Sequence, residues 1–519
     1  MSSAAFRDLL RGDEFLFAAE LVTSRGTLFD KRAARALEMG RTLAADERFS
    51  LLSITDNPAG SAMLAPETLG REIKNLGQEV NIHLACKDAN RNGLQARAFA
   101  LASEGFNNVL AMSGDEPITG YRGRAGSVFD IDSVGLIKLL SDMNAGLDPI
   151  YEGEAPHERT NFTIGCAMTN HKRQEREVMP LYFKLRKKVQ QGAHFVINQI
   201  AFNARKDDEL LRWMEREDCA IPVFANVYVL SRGAARAFHR EHVPGVPVSD
   251  ELLAEVEKQA RSKDNGREFF IDLAARQVAI SRGLGYKGAY LGGHVAAEDF
   301  QEIVDRADRF AADDHKEFAK QIQYGLRDEF YFFERDPDTG LSSDQVNASY
   351  LESKRGSRLG KKAKQPRYAF SRAAHNVVFA EDAPLHKPAR AFFAATDNAP
   401  KPIGRALHLF EQASKIPLFG CEDCGDCSLP DIAYLCPESS CAKNQRNGPC
   451  GGTRDGGRCE VEEFDCIWSR AYDRLKAYGE EETMLDGPVV IKDAALHGSS
   501  AWRNTFLGRD HHARGDERP

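Results

Sequence analysis

The first 335 residues alternate short apolar runs with longer amphipathic stretches. The runs are rich in β-branched and aromatic residues and cover 14–22, 50–56, 81–88, 107–115, 162–170, 194–202, 222–230 and 288–293. Stretches with helical spacing of apolar residues separate them, for example 30–46, 133–144 and 269–285. A parallel strand needs a crossover helix, and eight strand–helix units close a sheet, so the pattern predicts a (β/α)8 TIM barrel in the α/β class. A doubly wound open sheet is the structural alternative.

Several of these runs end in polar residues, including Glu20, Thr55, Asp88, Asp115 and Gln199. In a barrel the carboxyl ends of all strands meet at one mouth, where the catalytic groups of such enzymes lie. Glu20 is the most informative, because it lies within the apolar run 15–22 and its carboxyl should be partly desolvated. Desolvation raises the pKa of a carboxyl, which could then donate a proton near neutral pH. A salt-bridged strand-end glutamate explains the residue equally well.

Eight of the eleven cysteines fall within 46 residues near the C-terminus. They are Cys421, Cys424, Cys427, Cys436, Cys441, Cys450, Cys459 and Cys466. In a cytosolic protein such a group more often holds metal than disulfides. The first four follow a spacing that suits an iron–sulfur cluster. Zinc is the competing metal, because tetrahedral thiolate sites use similar CxxC motifs. A metal that only staples a loop-rich domain is a further alternative.

The pattern divides the chain into a barrel (1–335), an irregular basic connector (336–415) and a cysteine-rich C-terminal domain (416–519). Segment 353–367 holds seven basic residues and no acidic one. It is either a solvated linker or an electropositive rim for a polyanionic ligand.

The last residues, from 508 onward, include two adjacent histidines and are expected to be disordered and solvated. The GxGxxG match at 283–288 follows a helical stretch, so it indicates a helix end and turn rather than a dinucleotide site.

Composition narrows the function classes. The net charge of −8 argues against a chain-wide nucleic-acid surface. No window of about 20 apolar residues is present, and the N-terminus lacks a secretory pattern. These features predict a soluble, cytoplasmic protein without membrane insertion or nucleic-acid partners.

The barrel half resembles methylenetetrahydrofolate reductase over about residues 14–310. The resemblance rests on Phe17-x-x-Glu20, the SIT segment at 53–55, His83-Leu84 with Asp88, the GDEP segment at 114–117 and the run 185–199. Segments 436–452 and 459–468 resemble the cysteine-rich domain found beside or fused to this reductase in some bacteria. The order and spacing of these motifs, more than any one of them, carry the resemblance.

The resemblance implies flavin-dependent reduction of 5,10-methylenetetrahydrofolate to 5-methyltetrahydrofolate in one-carbon metabolism, with FAD, or else FMN, as cofactor. Glu20 matches the acid that opens the substrate ring, and Asp115 matches the carboxylate beside the flavin pyrimidine. Gln199 matches the amide that binds the pterin. The flavin-contacting positions correspond to Thr55, His83, Lys188 and, in a looser alignment, the stacking position Phe129. The resemblance also implies a homo-oligomer, because such reductases commonly form one.

The sequence also departs from the family. Ser113 stands where the better-known enzymes carry arginine, segment 165–172 replaces a strand end typical of NADH-dependent members, and 290–294 lacks an expected folate-contacting arginine. The electron donor is therefore either NAD(P)H or a redox protein acting through an iron–sulfur cluster, a route that zinc would close because it has no redox change. Two other functions stay open. These are oxidation of 5-methyltetrahydrofolate coupled to a redox partner, and a noncatalytic folate-binding or scaffold subunit.

Overall fold

The computed structural model describes residues 5–149, 155–241, 243, 245–355, 365–398 and 400–512. Eight parallel strands close into a barrel in chain order, which confirms the predicted TIM barrel and excludes the open sheet. The strands are β1 (Leu16–Leu21), β2 (Phe49–Ile54), β3 (Val80–Ala85), β4 (Asn108–Met112), β5 (Thr163–Met168), β6 (Phe195–Asn198), β7 (Val223–Val229) and β8 (Gly288–Gly293). Pairing of β8 with β1, with Leu16 opposite Gly288, closes the ring.

Helices surround this barrel. They are α1 (Phe6–Leu9), α2 (Lys31–Ala44), α3 (Pro66–Lys74), α4 (Arg91–Ser103), α5 (Ser133–Ala145), α6 (Glu175–Gln190), α7 (Ala204–Arg216), α8 (Arg232–His239), α9 (Asp250–Gln259), α10 (Arg267–Leu284), α11 (Ala297–Arg309) and α12 (Asp314–Gln321). As predicted, the 283–288 glycines end a helix, because α10 stops at Leu284 and Gly285 takes the left-handed conformation. Within the described ranges, no helix has both the length and the apolar character needed to cross a membrane.

Two apolar layers hold the barrel together. The larger one lies between the strands and the surrounding helices, and a smaller one fills the barrel interior. Helix α1 plugs the amino end of the barrel, where the Phe6 ring meets Phe195 edge-on at 5.4 Å between centroids. Because side chains alternate across a strand, Leu16 and Ala18 of β1 point inward and place Glu20 inward at the opposite end.

The interval 336–415 is more regular than its sequence predicts. It contains part of a two-stranded antiparallel sheet, β9 (Phe333–Arg335) and β10 (Ser342–Val346), and the helices α13 (Ala348–Arg355), α14 (Pro366–Ala374), α15 (His386–Asp397) and α16 (Lys401–Phe419). Prolines in the first turn of α14 and α16 favour helix starts, since their fixed φ suits that position. Most of the basic segment 353–367 lies outside the described residues, so its two interpretations remain predictions.

The C-terminal domain is rich in loops, with the short helices α17 (Pro437–Ser440), α18 (Ile467–Lys476) and α19 (Ala501–Phe506). The expectation of a disordered tail is wrong for residues 508–512, and the expectation of solvated side chains is wrong for two of them. Asp510 and His511 are buried, because His511 contacts the carboxylates of Asp426 and Asp431. Residues 513–519 lie outside the described part of the chain.

Candidate functional site

A cavity of about 310 Å³ opens at the carboxyl end of the barrel. We call it the mouth cavity. Its volume is at the lower end of the range for small-molecule sites. Six of the residues predicted from the sequence line it together: Glu20, Thr55, His83, Asp115, Lys188 and Gln199.

Glu20 lies at the centre of a hydrogen-bonded group on the mouth-cavity wall. The Tyr290 hydroxyl donates to Glu20 Oε2 at 3.1 Å and lies 3.4 Å from His83 Nε2. Burial raises the pKa of Glu20, although the Tyr290 hydrogen bond opposes this effect. Burial also lowers the pKa of His83 to about 3, so this imidazole is neutral. A carboxyl with a raised pKa beside a neutral imidazole is an arrangement that can donate a proton.

The neutral His83 ring is fixed by two polar neighbours. Asn81 donates to Ser53 Oγ at 2.8 Å, and Ser53 Oγ lies 2.8 Å from His83 Nε2. Both Ser53 and Asn81 are fully buried. The chain of contacts runs across β2 and β3 and holds the imidazole toward Tyr290 on β8.

Asp115 and Gln199 occupy other parts of the rim. The Ala59 amide donates to Asp115 Oδ2 at 3.0 Å, and the exposed Asp115 residue lines the cavity. Gln199 accepts a hydrogen bond from the Ile200 amide at 3.0 Å through its own Oε1. These contacts hold a carboxylate and an amide at separate edges of one cavity.

Three lysines give the mouth cavity a positive wall. Lys188 donates to the Ala167 carbonyl at 2.6 Å, and burial lowers its pKa to about 8. Lys184 lies one helical turn earlier on α6, and Lys87 follows β3, where it pairs with Asp88 at 2.7 Å. All three are buried and line the cavity. A set of buried ammonium groups suits an anionic ligand such as a phosphate.

Two polar atoms on the cavity wall have no hydrogen-bond partner among the described residues. They are Thr55 Oγ1 and Asn226 Oδ1, and both are inaccessible to bulk solvent. Buried polar groups normally find a partner, so such atoms in a cavity wall indicate a ligand or ordered water.

Phe129 differs from the prediction. It is not among the residues that line the mouth cavity in the described chain, but is buried in the apolar layer outside the barrel. Its φ of 40° belongs to the left-handed region, which a phenylalanine rarely adopts. The long segment between β4 and α5 turns there, so the ring packs against the protein instead of the cavity.

The cysteine-rich domain covers one side of the mouth. Ser113 at the end of β4 donates to Gln445 Oε1 at 3.0 Å, and Lys184 donates to the same oxygen at 2.9 Å. Lys184 also donates to the Gly448 carbonyl at 3.0 Å. Gly448 has a φ of 127°, and a Cβ there would lie 2.7 Å from the Lys184 Cβ, so this approach requires glycine.

Sequence reasoning did not find the residues that this domain adds to the mouth cavity. Lys443 donates to the Gly114 carbonyl at 2.9 Å and pairs with Glu460 at 2.7 Å. Burial opposes the charge on Lys443, but Glu460 raises its pKa, so both members of the pair stay ionised. The Cys450 thiol donates to Glu460 Oε1 at 3.0 Å. Nothing in the local pattern of 440–460 indicates docking onto a strand end more than 300 residues earlier.

The eight cysteines divide into two groups. The second group lines one small cavity and consists of Cys441, Cys450, Cys459 and Cys466. The first group consists of Cys421, Cys424, Cys427 and Cys436, whose thiols interact electrostatically. Burial raises the pKa of most of these thiols, to about 11 for Cys427 and about 12 for Cys441. Metal binding would have to displace their protons.

The spacing of the thiols bears on the type of metal. Among the described residues, which include all eight cysteines, no three Sγ atoms lie within 4.8 Å of one another. A tetrahedral zinc site with bonds of about 2.3 Å places its sulfurs roughly 3.8 Å apart. A cluster with one thiolate on each of several irons holds its sulfurs farther apart. The choice between iron–sulfur and zinc therefore stays a prediction.

Two family models match the chain. The model described as "Methylenetetrahydrofolate reductase" matches residues 6–289, which is more than half of the 519 residues. The chain belongs to the methylenetetrahydrofolate reductase family. A second model, described as "Methylene-tetrahydrofolate reductase C terminal", matches residues 403–495. No curated protein matches the chain significantly.

Two solved structures share a distant likeness with this methylenetetrahydrofolate reductase family member. One is an uncharacterized protein from Clostridium thermocellum that is described as binding two copies of 5-methyl-5,6,7,8-tetrahydrofolic acid. It is 10% identical, with a TM-score of 0.41, over 58% of this chain and 96% of that one. Another is 2,3-dimethylmalate lyase, 11% identical with a TM-score of 0.32, over 55% of this chain and 77% of that one. Such distant likeness assigns no ligand to this chain.

Two departures from the methylenetetrahydrofolate reductase pattern lie where the cysteine-rich domain docks. Ser113, in place of arginine, hydrogen-bonds to Gln445. In the altered segment 165–172, Lys172 donates to the Thr453 carbonyl at 2.6 Å, and the Thr169 methyl group lies against Gly451. The substituted positions therefore contact the second domain of the same chain.

Proposed function

We propose that the chain catalyses the flavin-dependent reduction of 5,10-methylenetetrahydrofolate to 5-methyltetrahydrofolate. The observation that carries this proposal is the convergence of Glu20, Asp115 and Gln199, from the ends of three different strands, on one cavity. The three residues supply an acid, a fixed negative charge and an amide. Membership of the methylenetetrahydrofolate reductase family supports the same reaction.

The mouth cavity has features that fit a flavin. Thr55 offers a buried hydroxyl that lacks a partner among the described residues, and His83 is a neutral ring fixed by Ser53. Lys188 offers a buried ammonium group for a phosphate, as FAD or FMN carries. When bound, a flavin supplies hydride transfer. Asp115 would place negative charge near it and disfavour an anionic reduced form.

Glu20 would be the proton donor. The amine that leaves when the substrate ring opens is a poor leaving group until it is protonated. Burial keeps the Glu20 carboxyl protonated to a higher pH than usual, and Tyr290 fixes the orientation of the carboxyl group. Gln199 would hold the pterin through one donor and one acceptor of its amide.

The electrons would come through the cysteine-rich domain. Cys450 lines both the mouth cavity and the cavity of the second cysteine group. The second cysteine group would hold an iron–sulfur cluster, which would supply one-electron transfer from a redox protein beside the proposed flavin site. The same contact favours, as a second candidate, oxidation of 5-methyltetrahydrofolate with electrons leaving by this route.

The test is anaerobic absorption spectroscopy of the purified full chain. We expect a flavin spectrum that 5-methyltetrahydrofolate bleaches and that 5,10-methylenetetrahydrofolate restores after reduction. Faster reduction by a reduced ferredoxin than by NADH would support the cluster route. Folate binding without bleaching would identify a noncatalytic carrier, and protein without flavin after gentle purification would contradict the proposal.

A further inference from the structure

We propose that Asp431, His511 and His512 form a binding site for a divalent zinc-type metal ion, separate from the cysteines. Among the described residues, these three are the one set of His, Cys, Asp and Glu side chains whose ligand atoms all lie within 4.8 Å of one another. Two imidazole nitrogens and a carboxylate oxygen are a common ligand set for zinc with an open position. Both histidines lie beyond the segment 403–495 that matches the C-terminal family model.

The three ligand groups already converge. His511 Nε2 lies 3.1 Å from Asp431 Oδ2, and His512 Nε2 lies 3.0 Å from Asp431 Oδ1. The two rings face each other at an angle of 36°, with 4.0 Å between their centroids. Ligands bonded to a tetrahedral zinc at about 2.0–2.1 Å are roughly 3.3 Å apart. Each imidazole nitrogen therefore already lies at about the distance from an Asp431 oxygen that binding to a common ion requires.

Each histidine has a second carboxylate on its other nitrogen. Asp426 Oδ1 lies 2.5 Å from His511 Nδ1, and Asp510 Oδ2 lies 3.7 Å from His512 Nδ1. Metal-binding histidines typically donate their second N–H to a carboxylate, which fixes the tautomer and directs the other nitrogen to the metal. Asp426 is fully buried and cannot turn away to solvent.

The alternative is a simple ion-paired clamp that holds the end of the chain. One protonated histidine on Asp431 would be enough for that purpose. Instead, three carboxylates surround two imidazoles that both aim Nε2 at one group. A dication bound to the two Nε2 atoms would bring the same positive charge to these three carboxylates as two imidazolium protons do. Since Asp431 lies between Cys427 and Cys436, the ion would tie the C-terminal segment to the loop that carries the first cysteine group.

Cobalt titration of the full chain tests this site. The protein is first passed over a chelating resin under conditions that leave metal on its cysteine sites. Co²⁺ is then added anaerobically, and the total molar amount of zinc and cobalt per chain is measured. We expect wild type to hold one equivalent more than His512→Gln. The additional cobalt bound by wild type should show visible d–d absorption bands and no new thiolate-to-cobalt charge-transfer band. Asp426→Asn should weaken binding 10- to 100-fold, as loss of an orienting carboxylate does.

His512 is part-exposed, so its replacement should leave the fold intact, which circular dichroism checks. His497→Gln, at an exposed histidine of the same domain, is the matched control and should bind like wild type. Equal metal content in wild type and His512→Gln would overturn the proposal. Cobalt bands that carry thiolate charge transfer in wild type would also overturn it, because the metal would then lie on cysteines.

Discussion

The Tyr290 hydroxyl donates a hydrogen bond to Glu20 Oε2 at 3.1 Å, across the seam where the last strand of the barrel meets the first. The same hydroxyl lies 3.4 Å from the neutral His83. Strand pairing sets this geometry, because β8 places Tyr290 opposite Ala18, two residues before Glu20. Barrel closure therefore assembles the proposed acid and its positioning residue from opposite ends of the barrel sequence.

Replacement of Glu20 by Gln should abolish folate turnover while the flavin stays bound. Glutamine keeps the size of the side chain but cannot donate an acidic proton, so we expect kcat to fall by about 10²- to 10⁴-fold. Single-turnover reoxidation of the reduced flavin by 5,10-methylenetetrahydrofolate measures the effect. Glu38→Gln, on the exposed face of α2, is the matched control. Turnover like that of wild type would reject the acid role of Glu20.

Replacement of Tyr290 by Phe should shift the pH profile. Because the Tyr290 hydrogen bond lowers the pKa of Glu20, its loss raises that pKa further. The acid form exists below the pKa and is lost as pH rises through it, so the alkaline limb of kcat should move to higher pH. The shift should be resolvable, because a hydrogen bond to a charged group is stronger than one between neutral groups. A limb that does not move would show that Glu20 is not the titrating acid.

Lys188→Ala should weaken flavin binding. Loss of a charged hydrogen bond costs about 1.5–3 kcal/mol, which corresponds to roughly a 10- to 100-fold higher Kd for flavin. Since the pKa of Lys188 is about 8, wild-type affinity should also fall as pH rises above that value. Flavin fluorescence quenching measures both effects. Lys187→Ala, the next residue on α6 and not a lining residue of the mouth cavity, should bind like wild type.

Much of this site follows from local sequence pattern. Apolar runs define each barrel strand, and parallel strands bring Glu20, Asp115 and Gln199 to one mouth whatever the loops do. Loop conformation is not local, so the left-handed φ at Phe129 and the buried ring that follows from it could not be predicted. The contribution of Lys443 depends on docking between segments that are distant in the sequence. The spacing of apolar residues along the chain does not indicate such docking.

Asn447→Ala should loosen the cysteine-rich domain from the barrel. The Asn447 side chain donates to Asp132 Oδ1 and to the Val490 carbonyl, and accepts from the Val490 amide at 2.7 Å. All of these groups are buried, so their loss of partners should cost about 2–4 kcal/mol. Thermal unfolding and limited proteolysis measure the change. Asn398→Ala, in an exposed turn, should unfold like wild type, and equal proteolysis of both variants would contradict the docking role.

Cys450→Ser should remove the metal of the second cysteine group and leave the first group loaded. A hydroxyl is a weaker ligand than a thiolate, and the proposed electron route requires iron and sulfide rather than zinc. Iron and sulfide per chain should therefore fall by about half, and reduction of the flavin by ferredoxin should slow strongly. Bleaching by 5-methyltetrahydrofolate should continue, because that step needs no cluster.

Cys219→Ser, at a buried cysteine of the barrel, is the control. Zinc in place of iron in the wild-type protein would contradict the electron route, because zinc cannot change its redox state.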